Sequence, residues 1–314
     1  MIKKISTIGM SREEWLQHRM KSIGGSDAGA LLGLNPYKSP YALWAEKTGE
    51  VTPDDISDKE AVRLGNDLED YVAMRWMEKT GKKLRRDNNI LYNTDYPFAH
   101  ANIDRAVVGE PDAGFEAKTT SNFELLKKLK AGQIPDSWYC QVCHYMMVTG
   151  AKRWYLGALA FGGGFFEFTI ERDEGEINSL EDAERTFWDR VERHVPPDAD
   201  GTESTMDTLK TMFLGSRPGV VDLTPLTQEI EVYNTMAEQI KTLEERKNSA
   251  QAKIMQYMGE FETGISGNCK ISWKSQSRKT FDKKSFERDH GQIGSEYFKE
   301  TTSRPFKISI KTEE

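Results

Sequence analysis

The stretch His100–Thr120, HANIDRAVVGEPDAGFEAKTT, sets Asp104 before a turn and places Glu116 and Lys118 two residues apart after it. The Pro and Gly of GEPDAG mark the turn, and the short alternating runs on either side read as antiparallel strands. On a strand, residues i and i+2 point to one face, so Glu116 and Lys118 emerge together and Asp104 can face them across the hairpin. Two carboxylates and the backbone carbonyl of Ala117 are hard oxygen ligands of the kind that Mg²⁺ or Mn²⁺ takes. A lysine beside them supplies charge at an attacked phosphate and can orient or deprotonate a water. The set suits phosphodiester hydrolysis.

Outward from this hairpin the sequence predicts helices. Ser11 and Glu14 form a capping box before Trp15, Leu16, Arg19 and Met20. Ser26 can cap a short helix through Leu32, and Ser39-Pro40 opens another that ends at Gly49. LGNDLEDYVAMRWMEKTG, residues 64–81, reads as a longer helix with Glu69 near its beginning and Gly81 as its stop. The alternating runs begin after Leu84. Residues 125–130 and 137–149 follow as helices, and RWYLGALAFGGGFFEFTIER has the composition of two strands around a glycine hinge. A helix over 182–194 then meets Pro196-Pro197, where the first domain, 1–197, is expected to end. Residues 198–222 read as a polar linker.

The remaining unit, 223–314, is expected to hold a long helix from Thr224-Pro225 to about Met258, then a basic, strand-rich extension. Ile230, Tyr233, Ala237, Ile240, Ile254 and Tyr257 form its apolar stripe, which Lys247 and Ser249 interrupt. A helix packed on its own domain fits better than a coiled coil.

With 314 residues, 37% of them hydrophobic, the chain is long enough for a genuine core. It has no apolar run of membrane-spanning length and no secretory signal at its start, and its three cysteines are too few for a disulfide framework. The expected compartment is the cytoplasm. The net charge of -7 argues against indiscriminate coating of nucleic acid. From Ser266 to Glu314, however, 11 Lys and Arg oppose 7 Asp and Glu, a local +4 that leaves -11 for the preceding residues. There Trp273, Phe281 and Phe286 alternate with Lys274, Arg278, Lys279, Lys283 and Lys284, a mixture suited to phosphates and bases. On charge alone a solvated, strand-rich surface accounts for it equally well.

An aspartate followed by E-x-K is, by itself, more often an exposed salt bridge than a catalytic site. Three neighbouring features favour the site. Glu69 adds a third carboxylate; Gln141 and Tyr145 in QVCHY stand four apart on one helical face; and Arg19, with the glycine turn and Ser26 of RMKSIGGSDAG, can form an anion pocket. Cys140-x-x-Cys143 lacks the second pair that zinc needs, and three cysteines cannot hold an iron-sulfur cluster. The five histidines show no metalloprotease spacing, although His100 and His144 can line the cleft.

In order along the chain stand R-x-x-x-I-G-G-S-D-A, G-N-D-L-E-D, N-I-D-R, E-A-K and Q-V-x-x-Y-M-M-V-T-G, from Arg19 to Gly150. This ordered set resembles the YqaJ-type viral recombinase family, to which phage lambda exonuclease is related, within the PD-(D/E)xK nuclease superfamily. The resemblance implies an α/β restriction-endonuclease-like core, a central mixed sheet flanked by helices. It implies metal binding by Asp104, Glu116 and Ala117, catalysis with Lys118, support from Glu69 and Gln141, and a 5'-phosphate pocket built from Arg19, Ser26 and Tyr145. Ile103 precedes Asp104 where the family often has proline, and Pro111-Asp112 only imitates the motif, so Asp112 is rejected as a ligand. The implied activity is a Mg²⁺-dependent exonuclease of phage recombination that degrades linear duplex DNA 5' to 3' and leaves 3' single strands. The implied partners are DNA ends, a single-strand annealing protein of the RecT or Bet kind, and two further copies in a homotrimeric ring. An endonuclease of the same fold and a catalytically silent DNA-binding subunit are the alternatives.

Overall fold

The computed structural model describes residues 1–53, 55–294, 302–306 and 308. The chain divides into two compact units, Met1–Leu214 and Gly215–Glu314. Among the described residues no helix is long and apolar enough to cross a membrane.

The first unit runs β1 (Ile2–Ser6), α1 (Arg12–Met20), α2 (Gly25–Leu31), α3 (Pro40–Lys47), α4 (Glu60–Thr80), β2 (Leu84–Arg86), β3 (Asn89–Asn93), β4 (His100–Ala101), β5 (Arg105–Val107) and β6 (Ala113–Thr120). It continues through α5 (Phe123–Lys130), α6 (Asp136–Thr149), β7 (Arg153–Ala160), β8 (Gly164–Glu171), α7 (Glu174–Glu192) and α8 (Glu203–Met212). The expected caps form at Ser11, where both halves of the box are present, and at Ser39 with Pro40 at the first helical position. Gly81 and Gly150 end α4 and α6 in the left-handed conformation that glycine adopts without penalty.

Several helix starts differ from expectation, α5 and α6 by two residues and one. α2 begins two residues earlier, with Gly24 as its cap, because the Asp27 carboxylate reaches back to the Gly24 N–H at 3.0 Å; Ser26 lies inside the first turn. α4 starts at Glu60, which puts Glu69 at mid-helix. α7 starts at Glu174 behind an Asp173 cap. The polar stretch expected to be a linker contains α8, whose Thr205 is buried and donates to Ser39 Oγ at 2.8 Å.

The segment after Leu84 divides between two sheets. β1, β3 and β4 form a small antiparallel sheet, while the main sheet has the order β2-β5-β6-β7-β8. Its pairs are antiparallel except β6 with β7, which are parallel and joined through α5 and α6, as a parallel pair requires a long crossover. This is the mixed sheet flanked by helices that the sequence led us to expect.

Alternation along β6 determines where the chemistry sits. Phe115 faces a cluster with Val72, Ala73 and Trp76 of α4, and Trp76 lies 5.0–5.1 Å, ring to ring, from Phe115 and Tyr155. Glu116 and Lys118 therefore face the opposite side, toward α6 and the larger core of Ile23, Leu43, Val142, Met146, Trp154 and Leu156. Gly114 shares that face, and a Cβ there would meet the Trp154 ring at 2.3 Å.

The second unit has a short 3₁₀ turn, Thr224–Leu226, leading into α9 (Thr227–Met258), the hairpin β9 (Thr263–Ser266) and β10 (Cys269–Ser272), and α10 (Lys283–Gly294). Among the described residues most of the expected stripe is exposed, at Tyr233, Ile240, Ile254 and Tyr257, and Tyr233 meets the Phe306 ring edge-on at 5.7 Å. The hairpin that follows α9 is short and reaches only its C-terminal end, where Met258 is buried beside Gly264. The basic extension is less strand-rich than expected, with that one hairpin among the described residues. The rings of Phe281 and Phe286 meet at 5.0 Å, tilted by 56°, and Phe286 lies 5.2 Å from His290. Residues 295–301, 307 and 309–314 of the expected DNA-binding tail lie outside the described residues.

Candidate active site

Asp104 sits one residue before β5, and its Oδ2 accepts the Ala117 N–H at 2.9 Å. That bond ties it to the middle of the Glu116-Ala117-Lys118 run across the antiparallel pair. Beside it, Lys118 Nζ donates to Glu116 Oε1 at 2.7 Å and to Gln141 Oε1 at 2.8 Å. Gln141 Nε2 donates to the same Glu116 Oε1 at 2.7 Å and to the Tyr145 hydroxyl at 2.8 Å. One amide orientation of Gln141 satisfies its three contacts.

These bonds occupy one oxygen of Glu116 and leave the other bare: Oε2 is buried and has no hydrogen-bond partner. An orphaned carboxylate oxygen is costly unless a cation, or a proton shared with the neighbouring Asp104 carboxyl, meets it. Burial and the charge of Glu116 push the Asp104 carboxyl up to about 8, although the Ala117 N–H and Lys118 oppose that rise. Two acids that resist ionising together fit a divalent cation, which would favour both charged forms.

Glu69 is held differently. Its Oε1 pairs with Arg105 Nη1 at 2.5 Å, and the same guanidinium engages Asp70. Burial first and then the charge of Asp104 raise the Glu69 carboxyl, opposed by Arg105, so Glu69 feels the site from its rim. Among the described residues no three His, Cys, Asp or Glu side chains gather as a ready-made metal cluster. Asp112 is exposed and paired with Lys152 at 3.4 Å, remote in role from Asp104.

Arg19 and Ser26 are brought together, with Arg19 Nη2 donating to Ser26 Oγ at 2.8 Å. The Arg19 guanidinium also lies 4.9 Å from the Trp15 ring centre. Tyr145 is buried rather than open at a pocket; its ring lies against Gly25 and its hydroxyl receives Gln141. The histidines expected near the cleft are also buried. His144 spans Glu184 Oε1 at 2.7 Å and the His100 carbonyl at 2.8 Å, while His100 Nδ1 meets Ser22 Oγ at 2.8 Å. The thiols of Cys140 and Cys143 are free, and burial pushes them up to about 11 and about 12, which keeps them protonated and unreactive.

Residues 14–152, which contain every one of these site residues but Glu184, match the YqaJ-like viral recombinase domain. The chain is also 38% identical over 304 residues to the uncharacterized protein YqaJ of Bacillus subtilis (strain 168), covering 95% of this chain and 94% of that one. The chain belongs to the YqaJ-like viral recombinase family. Among solved structures, this family member is similar to an alkaline exonuclease from Laribacter hongkongensis, with TM-score 0.49 and 18% identity over 58% of this chain and 94% of that one. A phage related exonuclease from Haemophilus somnus 129PT aligns with TM-score 0.36 and 13% identity, over 55% and 96%.

A buried pair in the YqaJ-like domain escaped the sequence reading. Asp27 and Lys47 meet at 2.7 Å with side chains 6% and 4% exposed. Asp27 had a local signal, since it stands three residues after the true cap, Gly24. Lys47 had none, because its partner lies twenty positions away.

Proposed function

We propose that this chain is a Mg²⁺-dependent deoxyribonuclease that degrades linear duplex DNA from 5' ends, with Mn²⁺ as an alternative ion. The bare, buried Oε2 of Glu116 beside Asp104 carries the reading. Asp104, Glu116 and the Ala117 carbonyl would hold the ion, which when bound supplies positive charge to the phosphate and makes an attacking water more acidic. Lys118, already aimed by Gln141 and Glu116, orients that water and offsets charge on the phosphate as the bond breaks. Gln141 is fixed in turn by Tyr145. Glu69 supports the site from the rim, and Arg19 with Ser26 takes the terminal 5'-phosphate, where the planar guanidinium can make two parallel hydrogen bonds.

An end-directed enzyme of this kind would leave 3' single strands for a single-strand annealing partner, and a homotrimeric ring would keep a net-acidic chain on its DNA. The test uses linear duplexes with and without a 5'-phosphate beside a closed circle, in Mg²⁺ or EDTA. Digestion of linear DNA alone, faster with the phosphate and absent in EDTA, is the expected result. Rapid cutting of the circle would make the chain an endonuclease, and binding without cleavage would make it a silent recombination subunit.

A further inference from the structure

Lys47 uses all three of its N–H groups. Its Nζ lies 2.7 Å from Asp27 Oδ2, 2.6 Å from the Arg19 carbonyl and 2.8 Å from the Ser22 carbonyl. It thus clamps the backbone at the end of α1 to α3, at the residue whose guanidinium is aimed at Ser26. Asp27 divides its two oxygens: Oδ2 takes Lys47 and the Gly24 N–H at 3.0 Å, and Oδ1 lies 3.4 Å from Arg19 Nη2. The 2.7 Å contact is the tight one, so Lys47 neutralises the carboxylate while Arg19 only leans on it. Two cations against one anion leave a surplus positive charge, and it sits on Arg19, whose side chain is 31% exposed. The Trp15 ring, 4.9 Å away, confines the guanidinium as well.

We infer that the buried Lys47–Asp27 pair is a positioning device: it holds Arg19 at the angle that receives a terminal phosphate and keeps Asp27 from cancelling the arginine's charge. This rests on the terminal-phosphate reading of Arg19 proposed above. Neither Lys47 nor Asp27 touches DNA. Without Lys47, the buried carboxylate draws Arg19 inward as its replacement partner, and the freed backbone carbonyls loosen the end of α1.

The measurement is binding in EDTA of a 5'-phosphorylated duplex and its 5'-hydroxyl twin, with the ratio of the two affinities as the readout. A pair that merely stabilised the fold would change both affinities alike and leave the ratio alone. Lys47→Met should lower the wild-type ratio about tenfold, close to the ratio of Arg19→Ala, and combining the two should lower it no further. Because Lys47→Met leaves a buried carboxylate unpaired, Lys47→Met with Asp27→Asn, neutral at both positions, serves as the second variant: with no carboxylate to draw Arg19 inward it should show a smaller loss, the part that comes from the freed Arg19 and Ser22 carbonyls at the end of α1. If Arg19→Ala removes the preference while either folded Lys47 variant keeps it, the positioning role is overturned alone. If the wild type does not distinguish the two ends, the terminal-phosphate reading fails and this inference fails with it.

Discussion

Gly25 lies against the ring of Tyr145 so closely that a Cβ on it would meet Cε1 at 2.5 Å. Through that contact, the helix carrying Ser26 and Asp27 rests on the tyrosine that fixes Gln141, which in turn holds Lys118 and Glu116. The proposed end pocket and the proposed metal site thus share one support. Gly25→Ala should cost about 1–3 kcal/mol of stability, because neither the helix backbone nor a buried ring yields easily. It should also slow cleavage by displacing Tyr145. Gly65→Ala is the control: its nearest neighbour would stand at 3.7 Å, an ordinary contact, and alanine suits the interior of α4. Denaturation midpoints that fall equally in both variants would show that the Gly25–Tyr145 contact is slack.

At the acidic pair, Glu116→Gln and Asp104→Asn keep shape and remove charge. Wild-type protein at pH 8 should gain thermal stability as Mg²⁺ is added, by the logarithm of its saturation, and both variants should lose that gain. Each variant, and Lys118→Ala, should lower cleavage at least about a hundredfold while remaining folded. Asp112→Ala should retain most activity. A melting temperature that rises with Mg²⁺ in both carboxylate variants as it does in wild type would place the ion elsewhere.

The extent to which this was legible followed from distance along the chain. Glu116, Lys118 and Asp104 fall within fifteen residues, and strand periodicity alone puts them on facing positions. Ser11, Ser39, Gly81 and Gly150 act on their own neighbours, so their caps and stops could be read directly. Ser26 was misread as a cap because a serine before an apolar run is a common signal; the carboxylate of Asp27 won by bonding the Gly24 N–H. The first turns of α4 and α7, EAVR and EGEI, hid their starts, since periodicity shows only once apolar residues recur at helical spacing. Lys47 with Asp27, and His144 with Glu184, are pairs made by folding, separated by 20 and 40 positions. Local patterns hold no trace of them.

His100 should make stability depend on pH. Burial first, and next the charge of Lys47, pull its imidazole down to about 3, with His144 and Arg19 acting the same way and Asp27 opposing. In the unfolded chain it titrates near about 6.5. Its contribution is therefore complete above pH 6.5 and declines as pH falls toward 3, because the unfolded chain takes up the proton first. Between pH 6.5 and 5 the loss should approach about 2 kcal/mol at about 1.4 kcal/mol per unit. Asp27, also lowered in the fold, acts only below about pH 4, and the His144–Glu184 pair is common to both proteins compared. Urea denaturation of wild type and His100→Asn at these two pH values tests this; equal losses would show that His100 is not the group responsible.

The exposed basic residues of the second unit bear on how the proposed nuclease would hold DNA. Lys274, Arg278, Lys279 and Lys284 are exposed in a stretch that also presents Phe281. Every residue proposed for chemistry lies before Gly150, so changing these four to alanine should leave single-turnover cleavage at saturating DNA intact. If they contact phosphates, each releases a counterion, and the slope of log affinity against log salt should flatten by up to about 0.9 per side chain removed. Affinity at low salt should fall for all sequences alike, because phosphate contacts carry no base information. A packing role predicts the reverse pattern, with a lower denaturation midpoint and an unchanged salt slope. Unchanged affinity and slope in a folded quadruple variant would remove this stretch from DNA binding.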